Sequence, residues 1–506
     1  MVVVLNELAG TSWTAGQVAV GGRWHMALDR SMFRMYDIRG EVGLELTTEA
    51  ARCIGRGYVH FVRQRTGAGN PIVAVGRDVR PSSQDLAAAL IDGITSQGGD
   101  VVDIGIVPTP TLYYALFSLH VDGGIMITGS HNPPQYNGFK VAIGRETLYG
   151  DDIQHLADLA EVYHPIVSQR GSVSHLNLLS TYRDELVAQF GRGPLGASDK
   201  PRIKVVVDCA NGCAGLVVPS LLKQLRIDAV LMYPEPDGTF PNHHPDPARL
   251  DTLAGLREHI LAEKADFGIA YDGDVDRIGA MDQKGDVVWG DKLTYIFAAD
   301  IIAHWKGPDK VKVIGEVKCS KTLFDGVKEL GGQAIMSPTG HSLIKKRMRE
   351  ENAQLAGEMS GHMFFADRYY GYDDAIYASL RLMEIVTSRL RADPGFVFSD
   401  LLRKLQRTVA SPEMRRPCRE EEKEHLVTGF VDAFRRKFPK MAHTIEKVVT
   451  IDGARVEWAD GWGLVRASNT EPLLVLRFEA KTQERVNQLQ QAFDETLASL
   501  ARPGKG

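Results

Sequence analysis

Two short polar loops in this chain bring together the groups that phosphoryl chemistry requires. The first is Thr128-Gly129-Ser130-His131-Asn132-Pro133-Pro134, which follows the apolar run Ile125-Met126-Ile127. The proline pair forbids a strand from continuing, so the chain must turn with Ser130 at the crest. The second is Asp272-Gly273-Asp274-Val275-Asp276-Arg277, after the apolar residues 267–271. Three carboxylates this close repel one another unless a cation or cationic side chains sit among them. The loop is no EF-hand, because Arg277 stands where that motif needs Gly and Gln283 where it needs Glu. Nor does His131 beside Ser130 make a hydrolase triad, whose geometry is not set up by adjacency in sequence. Two plainer readings stay open here: a turn whose Ser and Asn cap backbone amides, and a solvated acidic hairpin.

Two further loops carry donors and acceptors. Gly357-Glu358-Met359-Ser360-Gly361-His362 sets three polar side chains at alternating positions between glycines. Such a loop suits a polyhydroxylated ligand, although any Gly-flanked polar turn would read similarly. Arg466-Ala467-Ser468-Asn469-Thr470-Glu471-Pro472 lies between two strand-like stretches. An Arg, two hydroxyls and an amide on one short turn would cradle a phosphate; a plain hairpin turn is the alternative.

The elements that must hold these loops are legible in outline. Strands are expected over 71–76, 101–106 and 124–127, with a helix over 83–97. A second unit starts with a strand at 203–208 and a helix near 216–224. A third starts at 312–317, with helices near 321–330 and 374–389. Alternation of this kind means α/β units on mixed or parallel sheets, and the three stretches form a weak internal repeat. The C-terminal part differs, with one amphipathic helix over 419–438, strands at 463–466 and 473–479, and a last helix bearing Val486, Leu489, Phe493, Leu497 and Leu500 on one face. It reads as a small α+β domain.

Composition narrows the function classes. The 506 residues, 44% of them hydrophobic, provide for several separate cores. Lys and Arg total 59 against 64 Asp and Glu, and no dense basic stripe marks a nucleic-acid footprint. No apolar run is long enough to span a bilayer. Five cysteines without zinc-ligand spacing read as reduced thiols in a reducing cytoplasm. Residues 1 to about 30 are Gly-rich and unpatterned and are expected to form a poorly ordered extension without the charged start of a signal peptide.

Taken in order, Thr-Gly-Ser-His-Asn-Pro, Asp-Gly-Asp-x-Asp-Arg, Gly-Glu-Met-Ser-Gly-His and Arg-Ala-Ser-Asn-Thr-Glu-Pro resemble the motifs of the α-D-phosphohexomutase superfamily. The resemblance runs from Phe33-Arg34-Met35-Tyr36-Asp37-Ile38-Arg39-Gly40 to near the C-terminus. It includes Lys318 and Pro338-Thr339-Gly340-His341-Ser342. With Asp237-Gly238-x-Phe240-Pro241-Asn242-His243-His244-Pro245, the chain is most similar to bacterial phosphomannomutase/phosphoglucomutase. Phosphoglucosamine mutases usually show Gln where Met359 stands.

The resemblance implies three α/β mixed-sheet domains and a C-terminal α+β domain resembling the TATA-binding-protein fold, around a central cleft. The implied boundaries are 31–176, 177–286, 287–402 and 403–506. It implies an isomerase phosphorylated on Ser130 that moves phosphate between C1 and C6 of mannose and glucose phosphates through a hexose 1,6-bisphosphate, which also serves as activator. One Mg²⁺ would be held by Asp272, Asp274, Asp276 and a phosphate oxygen on Ser130. Arg39, Lys140, Arg277 and His341 would supply charge and proton transfer, the general base among them being left open. Tyr36, Lys318, Glu358, Ser360, His362, Arg466, Ser468, Asn469 and Thr470 would contact substrate. The implied partners are small hexose phosphates, with no nucleic acid, membrane or obligate protein partner. The rival readings are a phosphoglucosamine mutase, a sugar-phosphate phosphatase and a non-catalytic sensor.

Overall fold

The structure, a computed structural model, describes residues 17–20, 23–26, 28–162, 164–468 and 472–500. Contacts divide the chain into two units: Met1–Trp289 with Ser360–Phe364 and Tyr372–Ser399, and Gly290–Met359 with Phe365–Gly371 and Asp400–Gly506.

The first unit holds two sheets. In the first sheet the described strands include β1 (Ile38–Glu41), β2 (Ile72–Arg77), β3 (Asp100–Ile106), β4 (Gly123–Ile127) and β5 (Tyr136–Ile143). Their spatial order is β1-β5-β4-β2-β3. β2 pairs parallel with β3 and β4, and β5 returns antiparallel to β4. β4 is buried at every position and β2 at its four central ones, in apolar runs such as strands covered on both faces carry. Helices Thr48–Thr66 and Ser83–Ser96 close one face over a core of Ile54, Tyr58, Val59, Leu86, Leu90, Val73, Val75, Ile125 and Ile127.

The second sheet repeats this plan. β6 (Lys204–Asp208) pairs parallel with β7 (Asp228–Met232) and β8 (Phe267–Tyr271), and β9 (Ile278–Asp282) returns antiparallel to β8. The second unit starts a third copy, in which β10 (Lys312–Glu316) pairs parallel with β11 (Gln333–Ser337) and β12 (Leu355–Gly357). The weak repeat in the sequence is thus a repeat of topology. In each copy the loop that follows the third of the mutually parallel strands is one of the polar loops singled out above: Ser130 after β4, the aspartates after β8, and Glu358 after β12. Ligand sites in α/β sheets form at such carboxyl ends of strands.

The C-terminal sheet is antiparallel, with β13 (Ala454–Trp458), β14 (Gly461–Ala467) and β15 (Leu473–Ala480) in register. Its core is aromatic, with Phe430, Phe434, Phe478, Phe493 and Trp458. Helix Gln483–Leu500 buries Val486, Leu489, Phe493 and Leu497 as its periodicity requires. The single helix expected over 419–438 is instead two, Glu420–Thr428 and Phe430–Lys437, separated at Gly429. A glycine inside a helix costs about 0.5–1 kcal/mol relative to alanine, so the chain breaks there and turns Phe430 and Phe434 into the core.

Within the stretch expected to be unpatterned, Gln17–Val20 and Arg23–Met26 form an antiparallel hairpin. Residues 1–16 lie outside the described residues. The helix Ala375–Ala392 follows the third sheet in sequence but packs with the first unit, where Tyr182 and Tyr271 donate to Asp374 and Ser379, both at 2.8 Å.

Candidate active site

Ser130 is 2% exposed and takes a left-handed backbone, φ 49. Its amide donates to Thr128 Oγ1 at 2.8 Å, which closes the turn after β4. The hydroxyl donates to Asp272 Oδ2 at 2.9 Å and lies 3.2 Å from His131 Nδ1. Ser130 is therefore no mere cap.

The aspartate loop joins β8 to β9 as a hairpin, yet it is not a solvated one. Asp272, Asp274 and Asp276 are all 0% exposed. Between them Val275 has φ 68, a region that β-branched residues rarely adopt. That conformation turns all three carboxylates to one side, where one oxygen from each lies within 4.8 Å of the others.

Lys140 supplies compensating charge. It projects from β5, and its Nζ lies 2.6 Å from Asp274 Oδ2 and also bonds Asp276 Oδ2. Burial opposes its charge, but the carboxylates of Asp274, Asp276 and Asp272 outweigh that, so its pKa is raised. Burial would raise Asp276 too, yet Lys140 and His362 hold it below the usual carboxylate range. Asp272 is pushed well above that range by burial and by its two acidic neighbours. Thr109, at the start of helix Thr109–Ser118, donates its hydroxyl to Asp274 Oδ2 at 2.5 Å and its amide to Asp274 O at 2.9 Å.

Basic groups surround the serine. Arg39 on β1 donates to Asn132 Oδ1 at 2.9 Å and to Asp37 Oδ2 at 2.5 Å. The Arg277 amide donates to Asp272 Oδ1 at 3.1 Å, and its Nε to His362 Nε2 at 3.0 Å. His362 Nδ1 is 3.2 Å from Asp373 Oδ2 and 3.8 Å from Asp276 Oδ1. Read with the sugar loop in sequence, His362 thus stands at the aspartate loop. The His131 ring is held well below its ordinary pKa by burial and by Arg277 and Arg39. Tyr36 lies half-buried in the turn that leads into β1.

The second unit holds most of the other expected residues. Glu358 accepts from the Gly340 amide at 2.8 Å, at the start of the helix that His341 begins. Lys318 pairs with Glu413 at 3.2 Å, and its amide donates to Glu316 Oε2 at 2.7 Å. Arg466, on β14, is held by Asp452, whose two oxygens lie 3.1 Å from its Nε. Burial and the charge of Glu358 raise the Glu316 carboxyl, while Lys318 and Arg466 oppose them. Those four groups therefore share one electrostatic environment. Ser468 is buried, its carbonyl accepting from Lys423 at 2.7 Å. Asn469 and Thr470 lie outside the described residues. Ser360, half-buried, falls in the first unit.

Sequence reasoning missed Thr109, Asp373, Glu316, Glu413 and Asp452. Their only signal was a polar residue at a strand or helix end.

The carboxylate chemistry fits a hard divalent cation. Oδ1 of Asp274 and Oδ1 of Asp276 are buried without a hydrogen-bond partner among the described residues. Oxygen ligands of this kind, left over after a lysine has engaged the others, are what Mg²⁺ binds. All five cysteines are free. Among the described residues no helix is long and apolar enough to cross a membrane.

Four family models match this chain in order. They are the phosphoglucomutase/phosphomannomutase alpha/beta/alpha domains I, II and III over residues 30–161, 181–285 and 289–405, and the C-terminal domain over 413–496. A Pseudomonas aeruginosa protein named phosphomannomutase/phosphoglucomutase is 42% identical over 474 residues, 94% of this chain and 96% of its own length. A Neisseria gonorrhoeae phosphoglucomutase is 38% identical, covering 94% and 98%. The crystal structure of a Burkholderia thailandensis phosphoglucomutase/phosphomannomutase family protein superposes with a TM-score of 0.81 at 38% identity, over 94% of this chain and 98% of that one. With the four domain models matched in order and relatives 42% and 38% identical over nearly its whole length, the chain belongs to the phosphoglucomutase/phosphomannomutase family of α-D-phosphohexomutases.

Proposed function

We infer that this isomerase moves a phosphoryl group between C1 and C6 of mannose and glucose phosphates, with Ser130 as the carrier. The observation that carries the reading is the buried meeting of the Ser130 hydroxyl, Asp272 and the Lys140-bridged pair Asp274 and Asp276. Phosphoryl transfer depends on in-line positioning and charge neutralisation more than on covalent chemistry.

In the forward direction the free hydroxyl of a hexose monophosphate attacks the phosphorus on Ser130. The bond from phosphorus to Ser130 Oγ breaks, the sugar hydroxyl proton passes to a nearby base while Ser130 Oγ takes up a proton, and a 1,6-bisphosphate forms. In the second half Ser130 Oγ gives up its proton and attacks the other phosphate of that intermediate; the bond from that phosphorus to the sugar oxygen breaks, that oxygen takes up a proton, and the monophosphate isomer leaves. Asp272, Asp274 and Asp276 would hold Mg²⁺, which supplies positive charge to the transferring group. Lys140, Arg39 and Arg277 add charge to the equatorial oxygens, and the buried setting of Ser130 keeps water from competing. Arg466 and Ser468, with Asn469 and Thr470, grip the phosphate that is not reacting; Lys318 and Tyr36 add contacts to substrate. Glu358 and Ser360 bind hydroxyls away from C2, where glucose and mannose differ. His341 and His362 are candidates for proton transfer and substrate contact. Hexose 1,6-bisphosphate primes the enzyme, and the free thiols fit a cytoplasmic enzyme.

Two measurements test this reading. Peptide mapping finds phosphate on the peptide containing Ser130, and Ser130→Ala loses almost all turnover; a fully active Ser130→Ala ends the proposal. Steady-state rates on mannose 1-phosphate, glucose 1-phosphate and glucosamine 1-phosphate then assign the substrate. Preference for glucosamine 1-phosphate would identify a phosphoglucosamine mutase instead, and stoichiometric release of inorganic phosphate would identify a phosphatase.

A further inference from the structure

Arg80, in the loop that follows β2, is 2% exposed. A guanidinium has five N–H donors, and each of them is used. Nε donates to Asp78 Oδ2 at 3.1 Å. Nη1 donates to the carbonyl oxygens of Pro133 at 2.8 Å and Tyr136 at 3.1 Å. Nη2 donates to those of Ser130 at 2.8 Å and Asn132 at 2.6 Å. Four of the five acceptors are thus main-chain oxygens, three in the loop that carries Ser130 and the fourth at Tyr136, where that loop enters β5. Asp78 completes the frame by accepting the Gly129 amide at 3.2 Å. Only glycine fits at 129, since a Cβ there would stand 2.6 Å from Arg80 Nε.

The far side of the guanidinium is covered by Phe240, whose ring centroid is 5.0 Å from Arg80 Cζ. Phe240 belongs to the motif Asp237-Gly238-x-Phe240-Pro241-Asn242-His243-His244-Pro245, which the reaction itself left unused. Gly238 allows the close approach, because a Cβ there would lie 2.4 Å from Arg80 Cα. His243 ties the same segment to β6 through Asp208 at 2.9 Å. The second domain therefore caps a clamp built by the first.

We propose that Arg80, capped by Phe240, is a positioning residue that holds the Ser130 loop in the left-handed turn from which the serine hydroxyl reaches Asp272. The proposal rests on the mutase reading above. A non-glycine residue at φ 49 persists only where its surroundings over-determine it. The four carbonyl bonds are that determination. Lysine cannot replace them, because it offers three donors on a flexible stem and no planar fork. A loosened loop misplaces the phosphoserine for in-line transfer and admits water to it. It leaves the sugar-binding residues untouched, so the loss falls on kcat and not on KM.

The test compares wild type, Arg80→Lys and Phe240→Leu, assayed for kcat, KM and inorganic phosphate released per turnover. Arg80→Lys is expected to lower kcat on the order of 10²-fold with KM nearly unchanged, as for a displacement of about 1 Å at the reacting group. Phe240→Leu, which keeps every hydrogen bond, should lower kcat about two- to fivefold. Both should raise the share of phosphoryl groups lost to water. A purely structural role would lower the melting temperature and leave kcat and that share at wild-type values, and this result overturns the proposal. If Arg80→Lys fails to fold, Phe240→Leu decides alone by the same two readouts. A wild-type enzyme that does not interconvert hexose 1- and 6-phosphates would instead refute the mutase reading. The clamp would then still be judged by whether hydrogen exchange over residues 128–136 rises selectively in Phe240→Leu.

Discussion

Replacing Lys140 by methionine separates the two sources of positive charge at the aspartates. Nζ lies 2.6 Å from Asp274 and also contacts Asp276, with only 5% of the side chain exposed. At an effective dielectric of about 20, charges roughly 3 Å apart attract by about 5–6 kcal/mol. Removing one member of such a buried pair costs about 3–5 kcal/mol, since the carboxylates left behind stay desolvated. For a unit of about 320 residues, each kcal/mol moves the melting temperature by about 1.5 °C, so chelator-treated Lys140→Met should melt about 4–8 °C below wild type. The same change removes a charge that repels a divalent cation. If Mg²⁺ then binds about tenfold tighter, saturating cation adds about 1.4 kcal/mol more stabilisation to the variant than to wild type. Thermal melts at pH 8 with chelator or with millimolar Mg²⁺ read both effects without any assay of turnover. The rise on adding Mg²⁺ should be about 2 °C larger in Lys140→Met than in wild type. An equal or smaller rise would refute the argument that the lysine and the cation share these carboxylates.

Three further outcomes are expected. Glu358→Ala should lower kcat/KM for mannose 1-phosphate and glucose 1-phosphate alike, by about 1.5–3 kcal/mol or roughly 10- to 100-fold; sparing one epimer would mean that the loop reads C2. Arg466→Ala should raise KM for every phosphosugar by about tenfold or more, because it acts on phosphate and not on the ring; a loss confined to one sugar contradicts that role. His243 has its pKa raised by Asp208 against the effect of burial. A raised pKa stabilises the fold fully below the unfolded value and is lost as pH climbs past the folded one. Melts from about pH 6 to about pH 8 should therefore show wild type losing about 0.5–1 kcal/mol relative to His243→Gln, the partial exposure of the ring screening the pair. Parallel curves would remove the Asp208 pairing from consideration.

What sequence could and could not reveal here follows from the range of the interactions involved. Strands β2, β3 and β4 are marked by apolar runs bounded by polar turns, and such signals are local. The four loops were visible for the same reason: hydroxyls, carboxylates and glycines crowd into a few consecutive residues. Strand β5 was not, although it carries Lys140, because the stretch Tyr136–Ile143 mixes Asn, Gly and Lys into its run. Its place is set by pairing with β4 and β1, which only the folded sheet provides. The supports of the site are invisible in sequence for a stronger reason. Arg80 and the Ser130 carbonyl are fifty residues apart, and Thr109 reaches Asp274 across 165. His362 reads as part of the loop that holds Glu358 but meets Arg277, because a bridge between those two residues fixes it there. A motif thus marks where polar groups crowd together, while their partners from elsewhere in the chain are ordinary arginines and threonines beyond strand ends. Such long-range partners decide what the motifs amount to, for without the Lys140 ion pairs and the Arg80 hydrogen bonds the same loops would be a strained turn beside uncompensated charge.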